Sequence, residues 1–539
     1  MLIIGLDGAT FDVLCPLMAE GRMPRLKAAM DSGASGVLRS TVPPITPAAW
    51  TTFLTGKQPG THGIIDFERY DVQTNRLTFN STRSLAHVRT LWQLVGDCGL
   101  RVGSINVPMT YPATQVNGFM ISGFETPGPA ANFVYPPELK KEVLQAWPDP
   151  TLKTKWQRRS FGGRQLFKDN VGYIVRSFHQ GAHMAITVGD RLGWDVLMVV
   201  LKLVDNLQHK TWRYIDQRWS SRDPARRDIT RAAFEELDRA VGALLDYADA
   251  NNARTLIVSD HGHGSLEGKV QPNMLLKDWG YLTLRRGGAQ PAARIRHTWD
   301  RLRRRNMRFA REGDIAHDLA VDFSRTRACV MHAGMAGFLY LNLRGRQPSG
   351  IVEPAEYDTL RDELERQFLG DRCRATDPAG RAIQLFSAVH RPEELYGCTR
   401  EDQPWLPDLL LIPHESLAVI RKIRGRRPVR WLPPGRIEGT HRSNGILIAS
   451  GPGIARGVKV DAHIVDCAPT ILAMLGLAIP GDMEGHVITG LFDATPAIKS
   501  TAARPSAVAQ EADANNTEVY TAEELQQVTE RLMDLGYLE

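Results

Sequence analysis

At 539 residues the chain is long enough for one large α/β domain with insertions, or for two to three ordinary domains. Hydrophobic residues make up 43% and charged residues 23%, the balance of a water-soluble globular protein. The 66 Lys and Arg against 60 Asp and Glu leave a net charge of +6, which suits an anionic substrate but gives no strong nucleic-acid signal.

The six cysteines (Cys15, Cys98, Cys329, Cys373, Cys398 and Cys467) are scattered without a C-x-x-C pair, which argues against a disulfide framework or a sulfur-rich zinc site. The first residues, MLIIGLDGATFD, carry no basic n-region, and their apolar run ends at Asp7, so they do not read as a signal peptide. No run approaches the ~20 uninterrupted apolar residues of a membrane helix. A cytoplasmic location is expected, and the sequence leaves the oligomeric state open.

In chain order, short apolar runs rich in β-branched residues occupy Leu2–Leu6, Val102–Val107, Val196–Val204, Thr255–Val258, Leu409–Ile412 and Ile446–Ile448. Their hydrophobicity is continuous rather than alternating, which predicts strands covered on both faces. Helical patterns lie between them, as in Arg231–Asp249 with its three- and four-residue apolar spacing. The expected fold class is therefore α/β, a doubly wound, mostly parallel sheet flanked by helices. Residues 124–191 and 264–398 fit that core poorly and are read as inserted cap subdomains, the second containing an alternating segment, Gly337–Leu343, with the pattern of an antiparallel strand. The arginine-dense piece Arg285–Arg311 reads as a solvated basic face, with a nucleic-acid or lipid-headgroup contact as the alternative. The catalytic domain is expected to run over 1–493. A linker over 494–520 and a C-terminal helix in 521–539 follow, the helix opening on a capping box of Thr521 and Glu524.

Acids and histidines fall where these strands end. Asp7 follows the first. Asp205 follows Val196–Val204, with His209 four residues on, and Asp260 and His261 follow Thr255–Val258. His441 lies in GTHRSNG, read as the loop before Ile446–Ile448. Ligands of open parallel sheets bind beyond the carboxyl ends of the strands. Singly, each residue has a plain structural reading as a cap, turn or surface residue. Together, three strands delivering aspartates to one edge, two with histidines nearby, point to a metal site. Mixed carboxylate and imidazole ligands suit zinc or manganese, and six are enough for two ions.

The segment from Pro43 to Gly56 reads as a capped helix, with Thr46 at the N-cap, Pro47 at the first helical position and Gly56 as the stop. Threonine is a common cap, and that is its structural reading. The functional one is that an anion would meet the backbone N–H groups and positive helix end here, beside a hydroxyl able to attack phosphorus. Two ions about 4 Å apart would serve such a nucleophile and its leaving oxygen.

GLDG, T-x-x-x-W-x-x-x-x-T-G-x-x-P-x-x-H-G-I, D-x-x-x-H, S-D-H-G and the late G-T-H resemble the alkaline phosphatase superfamily, most of all its type I phosphodiesterase and nucleotide pyrophosphatase branch and related bacterial phosphohydrolases. These motifs run from position 7 to 441 in the family's order. The resemblance implies one metal held by Asp7, Asp260, His261 and Thr46, and another held by Asp205, His209 and His441. It implies attack by Thr46 and a phosphothreonyl intermediate that water then hydrolyses. The substrate would be a small phosphorylated molecule, with diester or pyrophosphate cleavage ahead of monoester cleavage. A phosphomonoesterase, a phosphomutase and a non-catalytic metal-binding relic are the rival readings. The family's asparagine downstream of the nucleophile is missing from the helix after Thr46, and Lys57, Asn106 and His263 are the candidates for binding substrate in its place. No C/S-x-P-x-R motif is present, so sulfatase activity is not expected.

Overall fold

The computed structural model describes residues 1–85, 87–149, 163–218, 222–285, 319–399, 403–502 and 519–535. The chain divides into two compact units. The first comprises Met1–Phe67, Asn80–Leu266 and Pro433–Leu538, and the second Glu68–Phe79 and Glu267–Leu432.

The first unit is built on one mixed sheet. Its early strands are β1 (Leu2–Gly5), β2 (Ala34–Arg39), β3 (Val102–Val107), β4 (Gly118–Ser122), β5 (Val134–Tyr135), β6 (Val196–Val200) and β7 (Thr255–Val258). After β8 (Gly262–Leu266) and β9 (Glu438–Arg442), which pair with each other outside this sheet, come β10 (Asn444–Ser450), β11 (Val458–Lys459) and β12 (Ala462–His463). The order is β11–β2–β10–β7–β1–β6–β3–β4–β5, with β12 also pairing β2. The middle strands β7, β1, β6, β3 and β4 are mutually parallel, whereas β10 runs antiparallel to both its neighbours and β5 to β4.

The strands LIIG, VGSINV, VLMVV and TLIV are buried along their whole length, so both faces need cover. On one face α1 (Thr46–Thr55) and the helices Leu91–Asp97 and Cys467–Met474 bring Trp50, Phe53, Trp92 and Ile471 against Ile3, Met198 and Leu256. On the other, α2 (Arg164–Leu192) packs on β6 and along α4 (Pro224–Ala250), with α3 (Leu203–Ile215) beside them. The expected doubly wound α/β core is observed.

Local details depart from the sequence reading. The strand expected over Val196–Val204 stops at Val200, and α3 begins at Leu203. Asp205 therefore stands in the first turn of a helix. His441 lies on β9 rather than in a loop. Ile45 is the N-cap of α1 and Thr46 its first helical residue, one position from the expected cap. The stop is as expected: Gly56 takes φ 64° and its N–H bonds the Thr52 carbonyl at 2.9 Å.

Leu409–Pro413 belongs to the second unit, antiparallel to both Gly337–Leu341 and Phe386–His390. Its side chains are buried on both faces, which gives it the continuous apolar look of a parallel strand. In that unit Asp408 is fully buried and accepts bonds from Arg346 and from the Tyr357 hydroxyl at 2.6 Å. The second unit overlaps the expected 264–398 insertion but extends to Leu432 and takes in Glu68–Phe79. The expected 124–191 insertion lies in the first unit, where most of its second half is α2.

Arg285 is described, and the rest of the Arg285–Arg311 segment lies outside the described residues. Within the expected linker, Lys499–Thr501 pairs with Ala478–Pro480, and 503–518 lies outside the described residues. Helix α5 (Ala522–Leu535) opens on the expected capping box, with Glu524 N–H bonding Thr521 Oγ1 at 3.2 Å and Thr521 N–H bonding Glu524 at 2.9 Å. Its Arg531 is buried and donates to the carbonyls of Phe124, Thr126 and Pro127. All six cysteines are free of disulfides. Among the described residues no helix is long and apolar enough to cross a membrane.

Candidate active site

Three adjacent parallel strands, β7, β1 and β6, end side by side, and the chain leaving each carries an aspartate. Asp7 follows β1, Asp260 and His261 follow β7, and α3 after β6 carries Asp205 and, one helical turn on, His209. Beyond this edge, β8 and β9 pair antiparallel and set His263 opposite His441. Helix α1 brings Thr46, whose Oγ1 lies 3.4 Å from His261 Nε2. All eight of these side chains are buried.

Each of four histidines has Nδ1 on a backbone carbonyl. His209 bonds Gly439 at 2.7 Å, His263 bonds Gly8 at 2.8 Å, His441 bonds Pro44 at 2.9 Å and His261 bonds Gly262 at 3.1 Å. A carbonyl oxygen only accepts, so Nδ1 carries the hydrogen and Nε2 of the neutral ring keeps its lone pair. Three of those lone pairs converge on one oxygen: Asp205 Oδ1 lies 3.1 Å from His209 Nε2 and 3.3 Å from both His263 Nε2 and His441 Nε2. His261 Nε2 lies 3.3 Å from Asp260 Oδ2 and 3.9 Å from Asp7 Oδ1. Backbone anchors of this kind fix imidazole orientation for ligation.

The electrostatics agree. Burial drives His261 and His441 down to about 3 and His263 well below the ordinary histidine range, so all three stay neutral. Burial, with Asp260 nearby, pushes Asp7 well above the usual carboxylate range, and burial raises Asp260 to about 7 against the pull of the Gly8 N–H. Burial would also raise Asp205, but its charged and hydrogen-bonding neighbours, Lys202 among them, outweigh it and hold that carboxyl well below its usual range.

The donor set fits divalent cations. In the tautomers fixed by their carbonyls, His209 Nε2 and His441 Nε2 are both acceptors, yet they face each other at 3.0 Å. The buried atoms Asp260 Oδ2 and His263 Nε2 form no hydrogen bond. Ligand atoms of Asp205, His209, His263 and His441 all lie within 4.8 Å of one another, as do those of Asp7, Asp205 and His261. Asp205 thus touches both groups.

Of the residues expected to bind substrate, His263 sits inside this cluster with its Nε2 toward Asp205. Asn106 ends near the same sheet edge at φ 56°, and its amide donates to the Val200 carbonyl at 2.8 Å. Lys57 follows the far end of α1, about 15 Å from Thr46 at 1.5 Å per residue, and pairs with Asp482 at 2.6 Å. It is not brought to the cluster. Two residues to which the sequence reading gave no role are central to it. Trp50 donates its indole N–H to Asp7 Oδ2 at 3.0 Å, and Lys202 lies between Asp205 and Asp7. The lone lysine in the apolar run MVVLKLV was the available signal for the second.

An α/β sheet whose carboxyl edge gathers aspartates and histidines beside a helix-borne threonine is the arrangement of an alkaline phosphatase-like hydrolase. The model of the type I phosphodiesterase/nucleotide pyrophosphatase family matches residues 1–444, and the chain belongs to that metal-dependent family of phosphoester hydrolases. Among solved structures it is similar in fold to phosphonoacetate hydrolase from Sinorhizobium meliloti 1021 in complex with phosphonoacetate, at TM-score 0.52 and 16% identity, covering 87% of this chain and 93% of that one. The same enzyme in complex with phosphonoformate gives TM-score 0.51 at 15% identity with the same coverage. Human ectonucleotide pyrophosphatase/phosphodiesterase 5 gives TM-score 0.50 at 12% identity, covering 92% of this chain and all (100%) of that one. A comparison with curated proteins gives no match.

Proposed function

We propose that this enzyme cleaves phosphodiester or pyrophosphate bonds of a small substrate, with Thr46 as the nucleophile and two divalent ions, zinc in the first instance, as cofactors. The observation that carries this reading is the position of Thr46. Its hydroxyl opens a fully buried helix and lies 3.4 Å from His261 Nε2, which is itself 3.3 Å from Asp260 Oδ2 and 3.9 Å from Asp7 Oδ1.

Asp205, His209, His263 and His441 would hold one ion, and Asp7, Asp260, His261 and Thr46 the other. Bound there, the ions supply Lewis-acid stabilisation of charge on the phosphoryl oxygens and the leaving oxygen. The chain's own part is positional. The first turn of α1 directs backbone N–H groups toward an anion at Thr46. Attack by Thr46 Oγ forms a P–O bond to the threonine and breaks the bond to the leaving alcohol or phosphate. Water then attacks the same phosphorus, releasing the phosphate product and restoring the hydroxyl.

The test is metal content and turnover together. Wild type and Thr46→Ala are purified, their zinc and manganese quantified, and both assayed on bis(p-nitrophenyl) phosphate and p-nitrophenyl phosphate. About two ions in both proteins, with turnover of the diester in wild type alone, is the expected result. Efficient monoester cleavage with no diester cleavage overturns the diesterase reading.

A further inference from the structure

Lys202 is fully buried on the turn between β6 and α3. Its Nζ lies 2.8 Å from Asp205 Oδ2 and 3.2 Å from Asp7 Oδ1, and it stands over the Phe124 ring at 5.1 Å from the centroid. The oxygens are shared out. Asp205 gives Oδ2 to Lys202 and turns Oδ1 to the three histidines, while Asp7 gives Oδ1 to Lys202 and Oδ2 to the Trp50 indole. A buried ammonium is tolerated where carboxylates and hydrogen bonds compensate it, and here two carboxylates do so, Asp7 from the turn after β1 and Asp205 from the first turn of α3. Phe124 packs on the remaining side, its carbonyl bonded by Arg531 of α5.

We infer that Lys202 is a positioning residue of the metal centre: a covalently fixed cation that joins the two ligand groups through Asp7 and Asp205 and presents Asp205 to metal through Oδ1 alone. The inference rests on the metal reading of the site given above. Two consequences follow from charge and placement. Without metal, Lys202 is the counter-ion that keeps two buried carboxylates in place. With metal, it is a like charge next to the ions and lowers their affinity.

Lys202→Met and Lys202→Gln are compared with wild type by thermal melting of the metal-free and zinc-loaded proteins, and by zinc titration against a chromophoric chelator. The metal-free Lys202→Met protein should melt roughly 10 °C below wild type, and most of that loss should disappear when zinc is bound. Its zinc affinity should rise at least about tenfold. Lys202→Gln, which keeps a donor without the charge, should recover part of the metal-free stability while its affinity stays raised. If Lys202→Met folds only in zinc, that is the same result in stronger form. Metal-free melting at the wild-type temperature, zinc affinity within twofold of wild type, or weaker binding in both variants would each overturn the inference. A wild-type protein that binds no zinc or manganese instead overturns the metal reading itself, and the two failures are thereby told apart.

Discussion

The indole N–H of Trp50 donates to Oδ2 of Asp7 at 3.0 Å, tying the helix that bears Thr46 to the carboxylate at the end of β1. Thr46 and Trp50 are one turn apart on α1, so both meet the site from the same helical face. Trp50→Phe keeps most of the ring volume and removes the hydrogen bond. Metal affinity should fall by about 10–100-fold, as for other partners of metal ligands, with a stability loss of about 1–3 kcal/mol. Chelator competition and thermal melting check both numbers; unchanged affinity would mean that Lys202 alone orients Asp7.

Thr46→Ala should lower kcat by about 1000-fold or more while the fold and the bound metal persist, because the covalent step loses its nucleophile. Thr46→Ser keeps a hydroxyl and should retain measurable turnover. Steady-state kinetics on the preferred ester, with trapping of labelled phosphate on the protein, separates a lost nucleophile from a lost binding contact. No label on wild type during turnover would exclude the phosphothreonine route.

Gly8 has φ 69°, and a Cβ placed on it would lie 2.6 Å from Cε1 of His263. Its carbonyl also anchors His263 Nδ1. Gly8→Ala should therefore displace His263 and imitate His263→Ala, each weakening the binding of one ion about tenfold or more. Zinc stoichiometry by elemental analysis at limiting free metal is the check. If His263→Ala binds both ions as wild type does, His263 is not a ligand and its place is among the substrate contacts.

Burial raises the Glu125 carboxyl from its ordinary value of about 4.5 to about 7. Below about 4.5 it is protonated in both folded and unfolded chains, and its contribution to stability is complete. As pH rises toward 7 the unfolded chain releases a proton that the folded chain retains, so stability declines, by about 3 kcal/mol over the window. His62 works in the opposite sense. Burial lowers it to about 3, so its contribution is present above about 6.5 and is lost as pH falls. The difference between wild type and Glu125→Gln isolates the carboxyl. The variant should gain on wild type as pH goes from 5 to 8, read as melting temperature, and a constant difference would contradict the assignment.

The parallel core and its ligand-bearing edge were legible because each depends on a few consecutive residues. LIIGLDG and TLIVSDHG each name a buried strand and the acid at its end. What was not legible depends on pairings across the chain. Lys202 finds Asp7 at a separation of 195 residues, and His263 finds the Gly8 carbonyl at 255. The apolar run around Lys202 marks it as unusual, but nothing local says which carboxylates it will meet. The segment Leu409–Pro413 shows a second limit. A strand covered on both sides has the same composition in an antiparallel sheet as in a parallel one, so hydrophobicity could not assign its sheet.

All ten residues of α1 are buried, so the helix that presents Thr46 has no face on which substitutions are free. Mutational tolerance should be lowest there and higher in segments that do not pack on it. Substrate preference can then drift through those other segments while the chemistry is kept. For an engineer, libraries aimed at new substrates belong outside Thr46–Thr55, and a stabilising search gains little inside it.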